Sequence, residues 1–183
     1  LGIGPRVVPM SDDRVRTRVR ADASWIDFQD YFVRQQCRPV VHELAFDGVS
    51  LARPHADITA ALRSGDVRAG IVGPSNPFIS VEPILAIPGM RDAIKASGAP
   101  VVAVSPIIGG QAVKGPTAKM MRELGLEASA AGVAARYGDL LDGYIVDHAD
   151  ADAVSNIGAR VTIDGLGMTL GHAHHLLGDP DIV

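Results

Sequence analysis

The sequence is poor in the features that mark secreted or membrane proteins. Its single cysteine, Cys37, has no partner for an internal disulfide, which is typical of a reducing compartment. Pro, Gly or a charged residue interrupts every apolar run before it reaches the roughly 20 residues that a membrane-spanning helix needs. We therefore expect a cytoplasmic protein that does not enter a membrane, with Cys37 as an inert side chain rather than a nucleophile.

Aromatic residues are also scarce, at 4% of a chain that is 47% hydrophobic. The core must therefore consist mainly of Val, Ile, Leu and Ala, which is typical of parallel sheets covered by helices. Short apolar runs alternate with helical patterns, which predicts a Rossmann-like α/β fold whose mainly parallel sheet is covered by helices on both faces. We find no linker or second core, so we predict a single domain over residues 1–183.

The predicted elements follow from apolar periodicity and from capping residues at the helix ends. Ser24, for example, is expected to cap the first helix. Strands are predicted at residues 6–9, 15–19, 41–46, 69–73, 101–104, 143–146 and 160–163, and helices at 25–35, 56–64, 90–97, 117–124 and 129–137.

Positive charge is not in excess, because the sequence has 17 Lys and Arg residues and 21 Asp and Glu residues, which gives a net charge of −4. This balance argues against a nucleic-acid partner, which would require clustered basic residues. The one basic stripe has alternating arginines that would share one face of a strand, most simply the solvated face of an edge strand, with anion binding as the alternative. Its members are Arg14, Arg16, Arg18 and Arg20.

Two polar loops directly follow short apolar strands, at residues 73–77 and 105–116. In parallel α/β sheets, ligands bind in the crevice beyond the carboxyl ends of the strands, so the two loops are expected to form one shared small-molecule site. The alternative is that they are ordinary strand-to-helix turns. The predicted ligand-binding residues of the loops are Gly73, Pro74, Ser75, Asn76, Pro77, Ser105, Pro106, Ile107, Ile108, Gly109 and Gly110.

The second loop also has the chemistry of a phosphate site. Gly109, Gly110 and Gly115 can adopt positive φ, so their backbone N–H groups can form an anion-binding nest. Lys114 would add a positive charge to the nest, and Thr117 lies at the opening of the next helix, whose amino terminus favours phosphate. No known nucleotide-binding fingerprint occurs, so the residues themselves predict a phosphate or nucleotide ligand without naming it.

Five blocks of the sequence closely resemble the 2-phospho-L-lactate transferase family of coenzyme F-420 biosynthesis. The resemblance covers residues 10–14, 73–80, 83–89, 105–125 and 136–147. It implies that a guanosine-diphosphate-linked 2-phospholactyl or phosphoenolpyruvyl donor passes its phospho-acyl group to the primary hydroxyl of the deazaflavin FO. GMP would be released with the assistance of Mg²⁺. Residues 75–77 and 105–110 would position the donor, and Lys114 would act on its phosphates.

The amino-terminal part of the family pattern has no counterpart in this sequence. Family members begin with a strand and a glycine-rich loop, followed by aspartates that serve the metal and the deazaflavin. We therefore expect residues 1–183 to be the carboxyl-terminal portion of a larger transferase, with the metal ligands outside them. A nucleotide-sugar-binding relative without transfer activity and a remnant that binds nothing are the alternatives, and a homodimer is one option for assembly.

The remaining polar candidates have simpler structural interpretations. Asp147, at the carboxyl end of a predicted strand, is the best remaining acid for the crevice, but a helix N-cap or turn role is the stronger alternative. Adjacent Asp12 and Asp13 would face opposite sides of a strand, so both cannot easily bind one ion. His172 and His175 would share a helical face, with a frayed terminal helix as the stronger alternative to metal binding.

Overall fold

A computed structural model describes residues 6–166 of the chain. Within that range the chain divides into two compact units, the first made of residues 6–70 and Pro77–Pro100 and the second of Ile71–Asn76 and residues 101–166. No helix in the described range is long and apolar enough to cross a membrane. The prediction that residues 1–183 form a single domain stays a prediction, and the His172 and His175 pair lies outside the described residues.

The first unit contains a three-stranded antiparallel sheet in which β1 (Arg16–Ala21) lies between β2 (Ser24–Asp27) and β3 (Val41–Asp47). The expectation of parallel pairing is wrong for this part of the chain. The predicted helix over residues 25–35 is wrong in its first three residues, which pair with β1 as part of β2, whereas residues 28–34 are helical and end in the π helix Asp30–Arg34. Asp22, with φ of 50°, provides the tight turn between β1 and β2.

The basic stripe lies on this central strand and not on an edge strand, which corrects the sequence interpretation. Cross-strand register brings acids opposite the arginines: the Arg18 side chain lies 3.3 Å from Asp27 and 3.7 Å from Asp47, and Arg20 lies 3.1 Å from Glu43. The acids of both neighbouring strands therefore balance Arg18 and Arg20, which disfavours an anionic ligand on this half of the stripe.

Short helices and irregular segments complete the first unit. They are α1 (Ala56–Arg63), α2 (Glu82–Leu85), α3 (Met90–Ala96), the 3₁₀ helix Val49–Leu51 and the π helix Pro77–Val81. Ala52, Ile87 and Met90 form a buried apolar cluster here, and Ile58 and Ile94 pack against it. Residues 6–9 form no strand, contrary to prediction, and Pro9 has no N–H to donate to a sheet.

The second unit carries most of a four-stranded sheet with the order β4-β5-β8-β9. Its strands are β4 (Gly70–Val72), β5 (Val101–Val104), β8 (Gly143–Val146) and β9 (Arg160–Ile163), and a two-stranded hairpin consists of β6 (Ile107–Ile108) and β7 (Gln111–Ala112). The pairings β5–β8 and β8–β9 are parallel. The helices are α4 (Thr117–Glu123) and α5 (Ala130–Tyr137), with 3₁₀ helices at Gly138–Leu140 and His148–Ala153.

This parallel sheet with its helices confirms the predicted α/β class. Ala103 of β5, Tyr144 and Val146 of β8, and Val133 of α5 are all fully buried, which places the core of the unit between sheet and helices. The predicted strands at residues 101–104, 143–146 and 160–163 are confirmed at the same bounds. The core therefore fixes where the loops after β4, β5 and β8 leave the sheet.

Candidate functional site

The two polar loops predicted to share a site follow neighbouring strands. The backbone N–H of Gly70, the first residue of β4, donates to the carbonyl of Pro100, directly before β5, at 2.9 Å. The two strands thus start side by side, so their carboxyl ends, and the loops that follow, lie at the same edge of the sheet. The adjacency on which the predicted site depended is present.

The first loop is linked to the helix that follows the second one. Asn76 donates its side-chain amide to the sulfur of Met120, a fully buried residue of α4, at 3.5 Å. Within the loop, the N–H of Ser75 donates to the Gly73 carbonyl at 2.7 Å, which makes a tight local turn. Pro77 is buried at the start of a π helix assigned to the first unit, whereas the residues before it belong to the second.

Ser105 shapes the start of the second loop. Its side chain is fully buried, its N–H donates to the Ile145 carbonyl at 2.9 Å, and its hydroxyl donates to the Ile107 carbonyl at 2.8 Å. The same hydroxyl accepts the N–H of Ile107, whose side chain is also fully buried. These bonds make Ser105 and Ile107 structural residues of the loop, and the polar backbone atoms of Ile107 are already in use.

The glycine pair of the second loop forms the turn of the β6–β7 hairpin. Gly109 and Gly110 have φ of 55° and 74°, the positive values that a two-residue hairpin turn of this kind requires. The predicted backbone conformation is therefore present. However, the Gly109 N–H is already engaged, because it donates to both carboxylate oxygens of Asp150 at 3.1 Å. Phosphate could use this N–H only by displacing a carboxylate.

Asp150 is the residue of this region that sequence reasoning missed. It lies in the 3₁₀ helix His148–Ala153 after β8, and only 5% of its surface is exposed. For Asp147 the sequence favoured an N-cap role over a place in the crevice, and this is confirmed, because its side chain caps this helix by accepting the Ala149 N–H at 2.9 Å. The only available signal was spacing: a 3₁₀ helix has three residues per turn, so Asp150 lies one turn beyond the cap.

Positive groups lie on the other side of the glycine turn. The Arg122 guanidinium donates to the Gly110 carbonyl at 2.9 Å. Lys114 is exposed and forms no hydrogen bond or ion pair with any of residues 6–166. Gly115, with φ of 70°, then directs the chain into α4. Thr117, the first residue of α4, is fully buried, and its hydroxyl has no hydrogen-bond partner among the described residues.

Two buried tyrosines lie beneath this arrangement. The hydroxyl of Tyr144 donates to the Ala130 carbonyl at 3.0 Å, which ties β8 to the first turn of α5. Burial raises the pKa of Tyr144, a hydrogen bond with Ser105 opposes that rise, and the charge of Asp150 adds to it. Burial also raises the pKa of Tyr137 to about 12. Both tyrosines are therefore neutral at physiological pH and cannot act as bases there.

The described residues do not fit a magnesium ion. Among residues 6–166, no group of three or more His, Cys, Asp or Glu side chains is arranged to hold a metal. Asp12 and Asp13 have separate partners: Asp13 accepts the N–H of Arg53 at 2.9 Å, and the Asp12 carboxylate lies 3.6 Å from Nε2 of His55.

Comparison with known proteins gives a consistent family. Residues 1–164 match the family model of the 2-phospho-L-lactate transferase CofD. The chain is 42% identical over 161 residues to a phosphoenolpyruvate transferase of Kitasatospora aureofaciens, covering 85% of this chain and 50% of that protein. It is 40% identical over 164 residues to the 2-phospho-L-lactate transferase of Methanosarcina barkeri, covering 88% of this chain and 52% of that protein.

The fold has a counterpart among solved structures. A crystal structure of a UPF0052 family protein from Bacillus halodurans superimposes with a TM-score of 0.59 at 14% identity, covering 86% of this chain and 54% of that one. This likeness supports the assignment of an α/β fold. The sequence matches go further: the chain belongs to the 2-phospho-L-lactate transferase CofD family. It spans about half the length of the curated relatives it matches.

Proposed function

We propose that this chain forms the donor-binding part of a transferase of coenzyme F-420 biosynthesis. The enzyme moves a 2-phospholactyl or phosphoenolpyruvyl group from a guanosine-diphosphate-linked donor to the primary hydroxyl of the deazaflavin FO. In that reaction the hydroxyl oxygen forms a bond to the donor phosphorus, the diphosphate bond breaks, and GMP and the hydroxyl proton leave. The observation that carries the proposal is the family match over residues 1–164, which includes both polar loops.

The loops after β4 and β5 are the proposed contact surface for the donor. They lie at one edge of the sheet, where ligands of α/β proteins bind, and the Asn76–Met120 contact links the first loop to α4. Asn76 suits recognition of a base or ribose, because an amide has both donors and an acceptor. The remaining proposed donor contacts are Gly73, Pro74, Ser75, Ile108, Gly110 and Gly115, whereas Pro77, Pro106 and Thr117 are buried and are not proposed as contacts.

Lys114 is the proposed phosphate-binding side chain of this half. It is exposed, and it has no acidic partner among residues 6–166 that would compete with a ligand. Phosphoryl transfer depends mainly on neutralising the charge of the transferring and departing groups. A mobile ammonium group on the loop would supply part of that neutralisation, to the diphosphate and then to the departing GMP.

Magnesium assistance and a cytoplasmic location also stay proposals. The resemblance implies Mg²⁺, but residues 6–166 contain no cluster that fits it, so no step proposed for this chain passes through the metal. The roles assigned to the loops and to Lys114 concern donor binding.

Calorimetric titration with GDP tests the proposal, with and without Mg²⁺ and with ATP and a UDP-sugar as controls. We expect selective binding of GDP. Lys114→Ala should weaken it by about 1–3 kcal/mol, the range for loss of a charge-assisted hydrogen bond. Lys119→Ala is the matched control, because it removes the same charge from the same region, but Lys119 lies 2.6 Å from Glu123 and is already paired.

Each outcome of this titration has a defined meaning. Unchanged affinity of the Lys114→Ala variant would remove Lys114 from the phosphate site, and equal losses in both lysine variants would indicate a nonspecific charge effect. Preference for the UDP-sugar would favour the nucleotide-sugar-binding alternative. If the folded chain does not bind GDP, the assignment of donor binding to these loops is wrong.

A further inference from the structure

Asp150 is a buried acidic residue whose carboxylate has a single hydrogen-bond donor among the described residues. Its carboxylate accepts the Gly109 N–H, and no other hydrogen bond or ion pair to this carboxylate involves residues 6–166. With 5% of its surface exposed, the residue has lost most of its hydration. Burying a carboxylate on one neutral donor is unfavourable compared with leaving it in water. Core stability therefore does not account for an aspartate at this position.

The β6–β7 hairpin turn, to which Asp150 is hydrogen-bonded, needs contacts from outside the hairpin to keep its conformation. The β6–β7 hairpin has only two residues in each strand, and short isolated hairpins are marginally stable in water. Its turn consists of Gly109 and Gly110, which lose more conformational freedom on ordering than any other residue pair would. At the base of the hairpin, the Val113 N–H donates to the Pro106 carbonyl at 2.9 Å, so Val113, directly before Lys114, is attached to the same hairpin whose tip Asp150 contacts.

Two side chains of opposite charge form hydrogen bonds with the backbone of the Gly109–Gly110 turn. The Asp150 carboxylate accepts the N–H of Gly109, and the Arg122 guanidinium donates to the carbonyl of Gly110 at 2.9 Å. Both contacts are electrostatically favourable, because the negative carboxylate meets an N–H group and the positive guanidinium meets a carbonyl oxygen. The two contacts come from different elements, the 3₁₀ helix after β8 and helix α4, so together they fix the turn between them.

We propose that Asp150 is a positioning residue that holds the glycine turn of the β6–β7 hairpin and thereby sets the place of Lys114, two residues after β7. The inference rests on the proposed function, since Lys114 is the group assigned to the donor phosphates. Asp150 itself does not contact the donor. Its charge acts through Gly109, and the hairpin transmits the constraint to the loop that follows.

The test uses Asp150→Asn and Asp150→Ala in the full chain, with Asp152→Ala as the matched control. Asp152 lies in the same 3₁₀ helix but is exposed, and it has no hydrogen bond or ion pair with the hairpin among residues 6–166. Three quantities are measured: melting temperature, GDP affinity well below that temperature, and the hydrogen-exchange rate of the Gly109 amide by NMR. Asp150→Asn keeps the shape of the side chain and removes its charge, so it remains informative if Asp150→Ala does not fold.

We expect faster exchange at Gly109 by about 3- to 10-fold in the Asp150→Asn variant, because the Asn oxygen still accepts this N–H but lacks the charge that roughly doubles the strength of the bond. GDP affinity should fall by about tenfold or more while the variant is fully folded, since misplacing a binding group is costly. Asp152→Ala should change neither quantity. A purely structural role would lower the melting temperature and leave the affinity of the folded protein unchanged.

The outcomes separate this inference from the proposed function. If the wild-type chain binds GDP and Asp150→Asn binds it equally well, the positioning role is overturned and the proposed function stands. Unchanged exchange at Gly109 would equally overturn it, because the contact would then not hold the turn. If the wild-type chain does not bind GDP, the proposed function fails, and the positioning role fails with it.

Discussion

Replacing Gly132 with alanine should destabilise the second unit, although alanine is normally the better residue in a helix. Gly132 lies in the first turn of α5, where its N–H donates to the hydroxyl of the capping residue Ser129 at 3.0 Å. A β-carbon at this position would collide with the backbone carbonyl oxygen of Glu127 and lie 3.0 Å from the terminal carbon of Met121. The Met121 side chain can yield, but the Glu127 backbone cannot move without disturbing the start of the helix.

The magnitude follows from three contributions. Overpacking against a fixed group costs about 1–3 kcal/mol. Loss of the Ser129 capping bond adds about 1 kcal/mol. The higher intrinsic helix propensity of alanine offsets up to about 1 kcal/mol of this loss. The net expectation is a decrease of about 1–3 kcal/mol in the free energy of unfolding, measured by urea denaturation monitored by circular dichroism.

Gly158→Ala is the matched control for Gly132→Ala. Gly158 is exposed, its φ is not positive, and a β-carbon there would meet no atom within 4 Å. Alanine at this position should leave stability within about 1 kcal/mol of the wild type, if anything in the stabilising direction, through the unfolded state. Equal or greater stability of Gly132→Ala would refute the reasoning, because it would show that the start of α5 can move away from the added methyl group without loss.

Two further predictions concern a turn in the first unit and the response to alkaline pH. Gly48→Ala should lower the free energy of unfolding by about 2–5 kcal/mol in urea denaturation, because Gly48 has φ of 87° and a β-carbon would collide with the Arg14 carbonyl. Gly65 has φ of 78° and open space around it, so Gly65→Ala should lower the free energy of unfolding only by the cost of positive φ for alanine. Equal decreases in the free energy of unfolding for the two variants would argue against a collision at Gly48. Since burial raises the pKa of Tyr137 to about 12, its contribution to stability is complete below the ordinary tyrosine pKa of 10.0 and is lost as pH rises towards about 12. Tyr137→Phe should reduce this loss of stability at alkaline pH, as measured by urea denaturation at several pH values. If the free energy of unfolding fell with pH equally in the variant and the wild type, Tyr137 would not be the group responsible.

Local sequence determined several elements directly. The runs at residues 101–104 and 143–146 are strands because β-branched and aromatic residues favour the extended backbone and the whole run is buried in a parallel sheet. Ser129 caps α5 because a serine oxygen can reach a free helical N–H a few residues away. The positive φ of Gly109 and Gly110 was likewise predictable, since glycine adopts such angles without steric penalty.

Tertiary structure decided the points at which these local signals were insufficient. Residues 24–27 have a helical pattern but form β2, because pairing with β1 satisfies their backbone in an antiparallel sheet. Arg18 and Arg20 of the arginine stripe are balanced by acids that only strand register brings opposite them. The Gly109 N–H meets the Asp150 carboxylate across 41 positions of sequence, and no local pattern reports that contact. The sequence by itself determined the family, the α/β class and the loops that form the candidate site. Only the tertiary structure decided which polar groups in those loops are already bound and which, like Lys114, have no partner among residues 6–166, because hydrogen bonding and burial depend on what the fold brings together.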